Sequence, residues 1–381
     1  MSSDSGGRGP TQQRSAPGNF RLGSVAGIDV NVSGSWFLIV AVIAVMFAPR
    51  IQEEFPDLGG WAYAAAIAFT LLLYVSVLLH EISHALAARS FGMPVHSINL
   101  HFLGGATEIG EEASTPWREF IVAVVGPLTS LAVGGLGILA LLPMGEGLLR
   151  YSIALLAGAN LVVGILNLVP GLPLDGGRVL QAAVWGISGN RRTGVVVAAW
   201  GGRLAAIAAL LYPLILLSFG LPVSIIDYVI AFILGSFLWA GATQALAISK
   251  LRSRLPSLVA RRLARPAIGV PADLPLSEAI RRAQEARAGS VVVVGGHGRP
   301  IGILSEAAAL STPVDRRPWL SVGDMARRIE DGLLLSADLA GEPLVKAMNR
   351  TPASEYVLVE PDGSVYGVLV TQDVDNAFKS G

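Results

Sequence analysis

Cysteine is absent from the 381 residues. Disulfides and thiolate metal sites are therefore excluded, and any metal ion must be held by His, Asp or Glu. Histidine is scarce as well, with five in the chain. Charge is thin: 15% of residues are charged against 52% hydrophobic, and the formal net charge is zero. A neutral chain offers no electrostatic footprint for nucleic acid, so no such partner is expected. The balance is too apolar for one soluble globule and points to a membrane protein. No signal-peptide pattern opens the sequence. Residues 1–19 are polar, rich in Gly and Ser, and expected to be disordered.

What is present in abundance is apolar sequence. Six segments stand out, roughly Gly34–Ala48, Trp61–Arg89, Trp117–Leu142, Tyr151–Val169, Gly194–Phe219 and Ile225–Ile248. About 20 apolar residues cross a bilayer, so the spacing predicts about six transmembrane helices. Basic residues bias the orientation. Arg14 and Arg21 precede the first span, and Arg191 and Arg192 lie between the fourth and fifth. Lys250, Arg252, Arg254, Arg261, Arg262 and Arg265 follow the last. Both termini are thus expected in the cytoplasm, with the chain in the cell membrane; richness in Ala and Gly, and in Arg over Lys, suggests a bacterial source. Arg203 falls inside the fifth span, and the sequence names no partner for it. Phe20–Val32 alternates weakly, as short strands do. The stretch 94–112 alternates around Gly104–Gly105 and predicts a β-hairpin at membrane depth.

After Lys250 the composition becomes that of a soluble domain, and an approximate repeat begins. Each copy reads strand, helix, strand, glycine turn, strand, helix; the turns are "GGHGRP" and "PDGS". The expected division is a tail (1–19), a membrane domain (20–249), a basic linker (250–265) and two repeat halves (266–315 and 316–381).

The second span contains "HEISH", His80 to His84. On a helix, residues four apart share a face, so both imidazoles can reach one metal ion. The adjacent Glu81 can then take a proton from water activated there. A pair of helix-packing histidines is the alternative. It would leave three ionisable groups in one turn unpaired at membrane depth, which is costly.

Two histidines make an incomplete site, because catalytic zinc usually has three protein ligands. His297 sits in a soluble turn, and His96 and His101 lie in the hairpin, where packing or surface roles are commoner. A better candidate is Asp175 in "NLVPGLPLDGGRVL", which interrupts the fourth span with prolines and glycines. An ordinary aspartate in a cytoplasmic turn is the rival reading.

Together the motifs resemble the site-2 proteases, intramembrane zinc metalloproteases. That family carries H-E-x-x-H on one transmembrane helix and N-x-x-P-x-x-x-L-D-G-G on another. They are matched here by His80–His84 and by Asn167, Pro170, Leu174, Asp175, Gly176 and Gly177. The resemblance covers roughly residues 20–250. It implies that His80, His84 and Asp175 bind Zn2+, that Glu81 is the general base and that Asn167 contacts substrate. Gly126–Pro127 resembles a Gly-Pro pair on the span between the motifs. The expected substrates are membrane-anchored regulatory proteins, cut within or near their transmembrane segments.

The tail resembles a pair of CBS domains, an α+β module that a subgroup of site-2 proteases carries. Adenosyl-binding CBS halves often end their last strand with G-x-x-[ST]-x-x-D. The first half has Ser305 but Ala308 at the Asp position; the second has Asp373 but Val370 at the Ser/Thr position. The fold is expected and adenine-nucleotide binding is not. CBS pairs commonly dimerise, which implies a homodimer. The rival function is a membrane transporter or channel regulated by CBS domains, since broken helices and midplane carboxylates occur there too. A transport path, however, needs no glutamate between paired histidines.

Overall fold

The computed structural model describes residues 19–101, 104–296, 298–304, 306–330 and 332–380. Residues 1–18 of the polar tail, His297 and Ser305 lie outside the described residues. The chain divides into two compact units, Met1–Ala247 and Ile248–Gly381.

Six helices are long and apolar enough to cross a membrane. They are α1 (Gly34–Glu54), α2 (Trp61–Ser90), α3 (Pro116–Leu141), α4 (Leu148–Asn167), α6 (Arg191–Ser218) and α7 (Ile225–Arg254), with the shorter α5 (Asp175–Ser188) between α4 and α6. The chain is a multi-pass α-helical membrane protein. Helix starts follow local chemistry. Thr115 caps α3 by accepting from Arg118 N, with Pro116 in the first turn. Asn190 caps α6 by accepting from Arg192 N and Thr193 N, directly after Gly189 ends α5 in a left-handed conformation (φ 67°).

Lipid is as apolar as a leucine side chain, so membrane helices associate through close packing of small residues. Between α3 and α4, an added Cβ on Gly134 would stand 2.7 Å from Leu161 Cγ, and one on Gly164 would stand 2.8 Å from Leu131 Cγ. Buried Asn160 of α4 donates to Ser76 Oγ of α2 at 3.1 Å, one of few polar ties between spans. Arg203, half-buried in α6, has its guanidinium 4.9 Å from the Trp200 ring and 5.0 Å from the Trp239 ring, and donates to Thr243 Oγ1 at 3.4 Å. The two indoles and the hydroxyl of α7 are what the sequence withheld about this cation.

The weak N-terminal strands and the hairpin form one sheet in the order β1 (Asn19–Val25), β2 (Ile28–Ser33), β3 (Val95–His101), β4 (Gly104–Ile109). β2 and β3 run parallel; the other pairs are antiparallel. Alternation assigns the two faces. Ile28, Val30, Val32, Ile98 and Leu100 pack on Ala85, Leu78 and Ile82 of α2. The opposite face carries a polar chain, Asn31 to Asn99 to Ser97 to Glu108, with links of 3.0, 3.1 and 3.0 Å. Ala26 and Gly27 turn β1 into β2 at φ 51° and 73°. Arg89, at the end of α2, donates to both their carbonyls and ties the sheet to that helix.

The second unit holds a seven-stranded sheet built from two copies of the expected repeat. The first copy contributes β5 (Arg265–Pro271), β6 (Ser290–Val294) and β7 (Pro300–Leu304), and the short β8 (Arg327–Arg328) after it pairs with β7. The second contributes β9 (Leu334–Ser336), β10 (Glu355–Val359) and β11 (Val365–Val370). The halves join through antiparallel β5 and β11. Leu258 and Ala260, in the basic stretch before β5, are buried in the core of the second half beside Leu344, Tyr356 and Leu369.

Residues 168–174 form the loop that delivers α5. Leu172 N donates to Ala198 O of α6 at 3.0 Å. The loop lies so close to α6 that a Cβ on Gly201 would stand 2.2 Å from Pro170 O, and one on Gly202 1.9 Å from Leu172 O. On α7, a Cβ on Gly241 would stand 2.5 Å from Pro173 Cγ. Gly202→Ala should therefore destabilise the protein by about 1–3 kcal/mol, the usual size of an overpacking penalty. The measurement is the thermal unfolding midpoint in detergent. A midpoint equal to the wild type would show that the loop does not sit against α6.

Candidate metal centre

Helix α2 presents His80, Glu81 and His84 inside the bundle, 5%, 8% and 4% exposed. Asp175 reaches them as the first residue of α5. Gly176 and Gly177 let the chain fold back tightly there. A Cβ on Gly176 would stand 2.4 Å from Leu168 C, and one on Gly177 2.2 Å from Leu172 N. The glycines of "LDGG" thus serve backbone contact, and the aspartate is what they aim.

The three donor atoms form a small triangle. His80 Nε2 lies 3.1 Å from Asp175 Oδ2, His84 Nε2 lies 3.2 Å from the same oxygen, and the two Nε2 atoms are 3.2 Å apart. Ligands about 2.0–2.1 Å from a tetrahedral zinc ion stand roughly 3.3–3.4 Å apart, so the edges fit. The tautomers fit too. His84 Nδ1 donates to Val122 O at 2.5 Å, and His80 Nδ1 lies 2.9 Å from Ser130 Oγ. With its proton on Nδ1, His84 turns a bare Nε2 lone pair towards a carboxylate oxygen. Two acceptors that close repel unless a proton or a metal ion lies between them. Among the described residues, His80, His84 and Asp175 are the group of His, Asp and Glu side chains placed to share one ion.

The surroundings are negative and tight. Glu81, Glu119 and Asp175 are three carboxylates near one guanidinium, Arg178, whose Nε donates to Glu119 Oε1 at 2.9 Å. Helix α3 approaches the histidines at Gly126, where a Cβ would stand 2.2 Å from His84 Nε2 and 2.7 Å from His80 Nε2. Strand β4 covers Glu81. Thr107 donates to Glu81 Oε2 at 2.7 Å, and a Cβ on Gly105 would stand 2.3 Å from Glu81 Cγ. Asn167 is half-buried in the last turn of α4, and its side chain makes no hydrogen bond among the described residues. His96 and His101 stay on β3, outside the triangle. Sequence reading missed Ser130, Thr107 and the Glu119–Arg178 pair. Its usable signal was polar residues inside a helix otherwise fit for lipid.

Comparison with known proteins identifies the family. The family model described as Peptidase family M50 matches residues 68–147 and 144–211, and the CBS domain model matches residues 260–313. A Synechocystis sp. protein named as a zinc metalloprotease is 30% identical over 364 residues, covering 92% of this chain and 93% of its own.

The chain belongs to peptidase family M50, the site-2 proteases.

A second relative, from Mycobacterium tuberculosis and named in the same way, is 30% identical over 371 residues, covering 93% of this chain and 91% of its own. The solved site-2 protease from Methanocaldococcus jannaschii is 25% identical, with a TM-score of 0.44, covering 60% of this chain and 95% of its own. As an M50 member the protein is a metalloprotease with a C-terminal CBS module, which sets aside the transporter reading.

The triangle makes Gly126 a stringent probe. Gly126→Ala places a methyl group where the two imidazole nitrogens converge. Purified wild type should carry about one zinc per chain and this variant little. The check is metal content by inductively coupled plasma mass spectrometry; equal content would show that α3 does not close on the site.

Proposed function

We propose that this metalloprotease hydrolyses peptide bonds within or next to transmembrane segments of membrane-anchored regulatory proteins, using zinc held by His80, His84 and Asp175. The observation that carries this reading is the convergence of those three donors beside Glu81, inside a bundle of apolar helices. Zinc held there supplies Lewis-acid chemistry: it acidifies water and polarises a carbonyl.

The chain's own groups do the rest. Glu81 accepts the proton of the attacking water and passes it to the departing amine. Thr107 occupies Glu81 Oε2 and leaves Oε1 for that proton. Asn167, with no internal partner among the described residues, donates its amide to the substrate carbonyl as charge develops. A helical substrate has its carbonyls hydrogen-bonded and must be extended before cleavage. β4 is an edge strand lying over Glu81, so an extended segment can pair with it by strand addition. The basic residues around the spans favour an orientation with both termini in the cytoplasm.

In the CBS pair, Asp373 is already engaged. Arg265 Nε and Nη2 donate to its two carboxylate oxygens at 2.6 and 3.0 Å, and the guanidinium holds the carboxyl below the usual range. With Ala308 and Val370 at the other motif positions, the module serves as a dimerisation platform or as a sensor of a ligand other than an adenine nucleotide.

Glu81→Gln should keep zinc and fold while losing cleavage, because an amide cannot carry the proton. Mass spectrometry of membranes expressing wild type or this variant should show single-pass proteins cut in the first and intact in the second. Activity near wild type would remove Glu81 as the base. Asn167→Ala should lower turnover with zinc content unchanged; loss of zinc instead would make it part of the loop's structure. For the CBS pair, calorimetry of the purified full-length protein with ATP, AMP and S-adenosylmethionine should give no heat of binding. Micromolar binding of any of them would restore nucleotide control.

A further inference from the structure

One face of α3 touches the support of every candidate ligand. Glu119, Val122, Gly126 and Ser130 follow one another at three- and four-residue steps, so they form a single stripe. All four are buried. Ser130 Oγ lies 2.9 Å from His80 Nδ1, placed to accept a hydrogen bond from it. Val122 O accepts a hydrogen bond from His84 Nδ1 at 2.5 Å. Gly126 leaves room for both Nε2 atoms. Glu119 Oε1 accepts from Arg178 Nε at 2.9 Å, and Arg178 lies one turn after Asp175 on α5.

We infer that α3 is the positioning element of the metal centre, with Ser130 and Glu119 as positioning residues for His80 and Asp175. The inference rests on the zinc reading proposed above. Ser130 acts on the orientation and basicity of one imidazole. Accepting from Nδ1, its hydroxyl holds His80 in the tautomer that leaves the Nε2 lone pair for the metal, and strengthens that nitrogen as a ligand. Glu119 acts on charge. Without it, the Arg178 guanidinium would lose its carboxylate partner and turn to the other carboxylates it interacts with, Asp175 among them, competing with the ion for the third ligand. The stripe also explains a buried glutamate and serine in a helix that otherwise contacts lipid and apolar neighbours. Each costs free energy unless partnered, and each partner belongs to the site.

The test is metal binding by the full-length protein in detergent, with Ser130→Ala, Glu119→Gln and, as a control on the same helix, Thr129→Ala. Among the described residues, Thr129 Oγ1 bonds only back to Val125 O within α3. Three readouts are taken: zinc retention against a competing chelator, the visible absorption of the cobalt-substituted protein, and thermal unfolding of the metal-free form. Ser130→Ala and Glu119→Gln should each weaken zinc binding about 10–100-fold, as loss of an outer-shell partner does. Both should alter the cobalt bands, which report ligand placement. Thr129→Ala should match wild type in affinity and spectrum. A merely structural role would lower the unfolding midpoint of the metal-free form and leave the cobalt spectrum unchanged, overturning the inference. Wild-type affinity and spectrum in both variants would also overturn it. If the wild type itself takes up neither metal, the zinc reading fails first and this inference with it.

Discussion

Ionisable groups at membrane depth cost free energy that only opposite charge and hydrogen bonds return. Arg203 apart, the membrane unit concentrates that cost in one place. His80, Glu81 and His84 of α2, Glu119 of α3, and Asp175 and Arg178 of α5 all meet within the bundle. Much of the surrounding architecture permits this meeting. Small residues bring the spans together: Gly126 against the histidines, Gly201 and Gly202 against the loop, Gly241 against Pro173. The sheet buries its apolar face on α2 and sets Thr107 on Glu81. Site and fold share these close backbone approaches, so a methyl group added at any of them disturbs both.

Much of this was legible in the residues themselves. The six spans were visible because each is a long apolar run, and "HEISH" stood out because it breaks one. Helix ends were less visible. The fourth span stops at Asn167, earlier than its hydropathy suggested, because the following Pro and Gly residues turn the chain onto α6. Helix α5 was hidden: it begins with Asp-Gly-Gly, which reads locally as a turn, and it is too short for a span. The sheet was half-read. The hairpin and the N-terminal strands each alternate, but their parallel pairing joins Asp29–Val32 to Ser97–Leu100 across a whole helix pair. No local pattern encodes such a register.

Side chains that support others were the least legible. Ser130 and Glu119 acquire meaning only once α3 is known to face α2 and α5. In the second unit the repeat was plain from its strands and turns. The ion pair that engages Asp373 begins 108 residues earlier, at Arg265, and no motif links the two positions. Several charges of the basic stretch that follow the last span also have specific partners: Arg261 with Asp338 and Glu360, and Arg265 with Asp373. Charge counted along the sequence therefore overstates what that stretch can offer a membrane surface.

The triangle of donors has a mechanical side. His84 and Asp175 are 91 residues apart in sequence, with α3 and α4 strung between them. An ion shared by the two closes that stretch into a ring. In a chain without cysteine, it is the closest counterpart of a covalent cross-link, fastening the loop before α5 to the second span. The same ring opens whenever the ion leaves. Chelation would then do more than silence the chemistry: it would remove the tie between α5 and the second span, leaving the loop held by its backbone contacts on α6 alone.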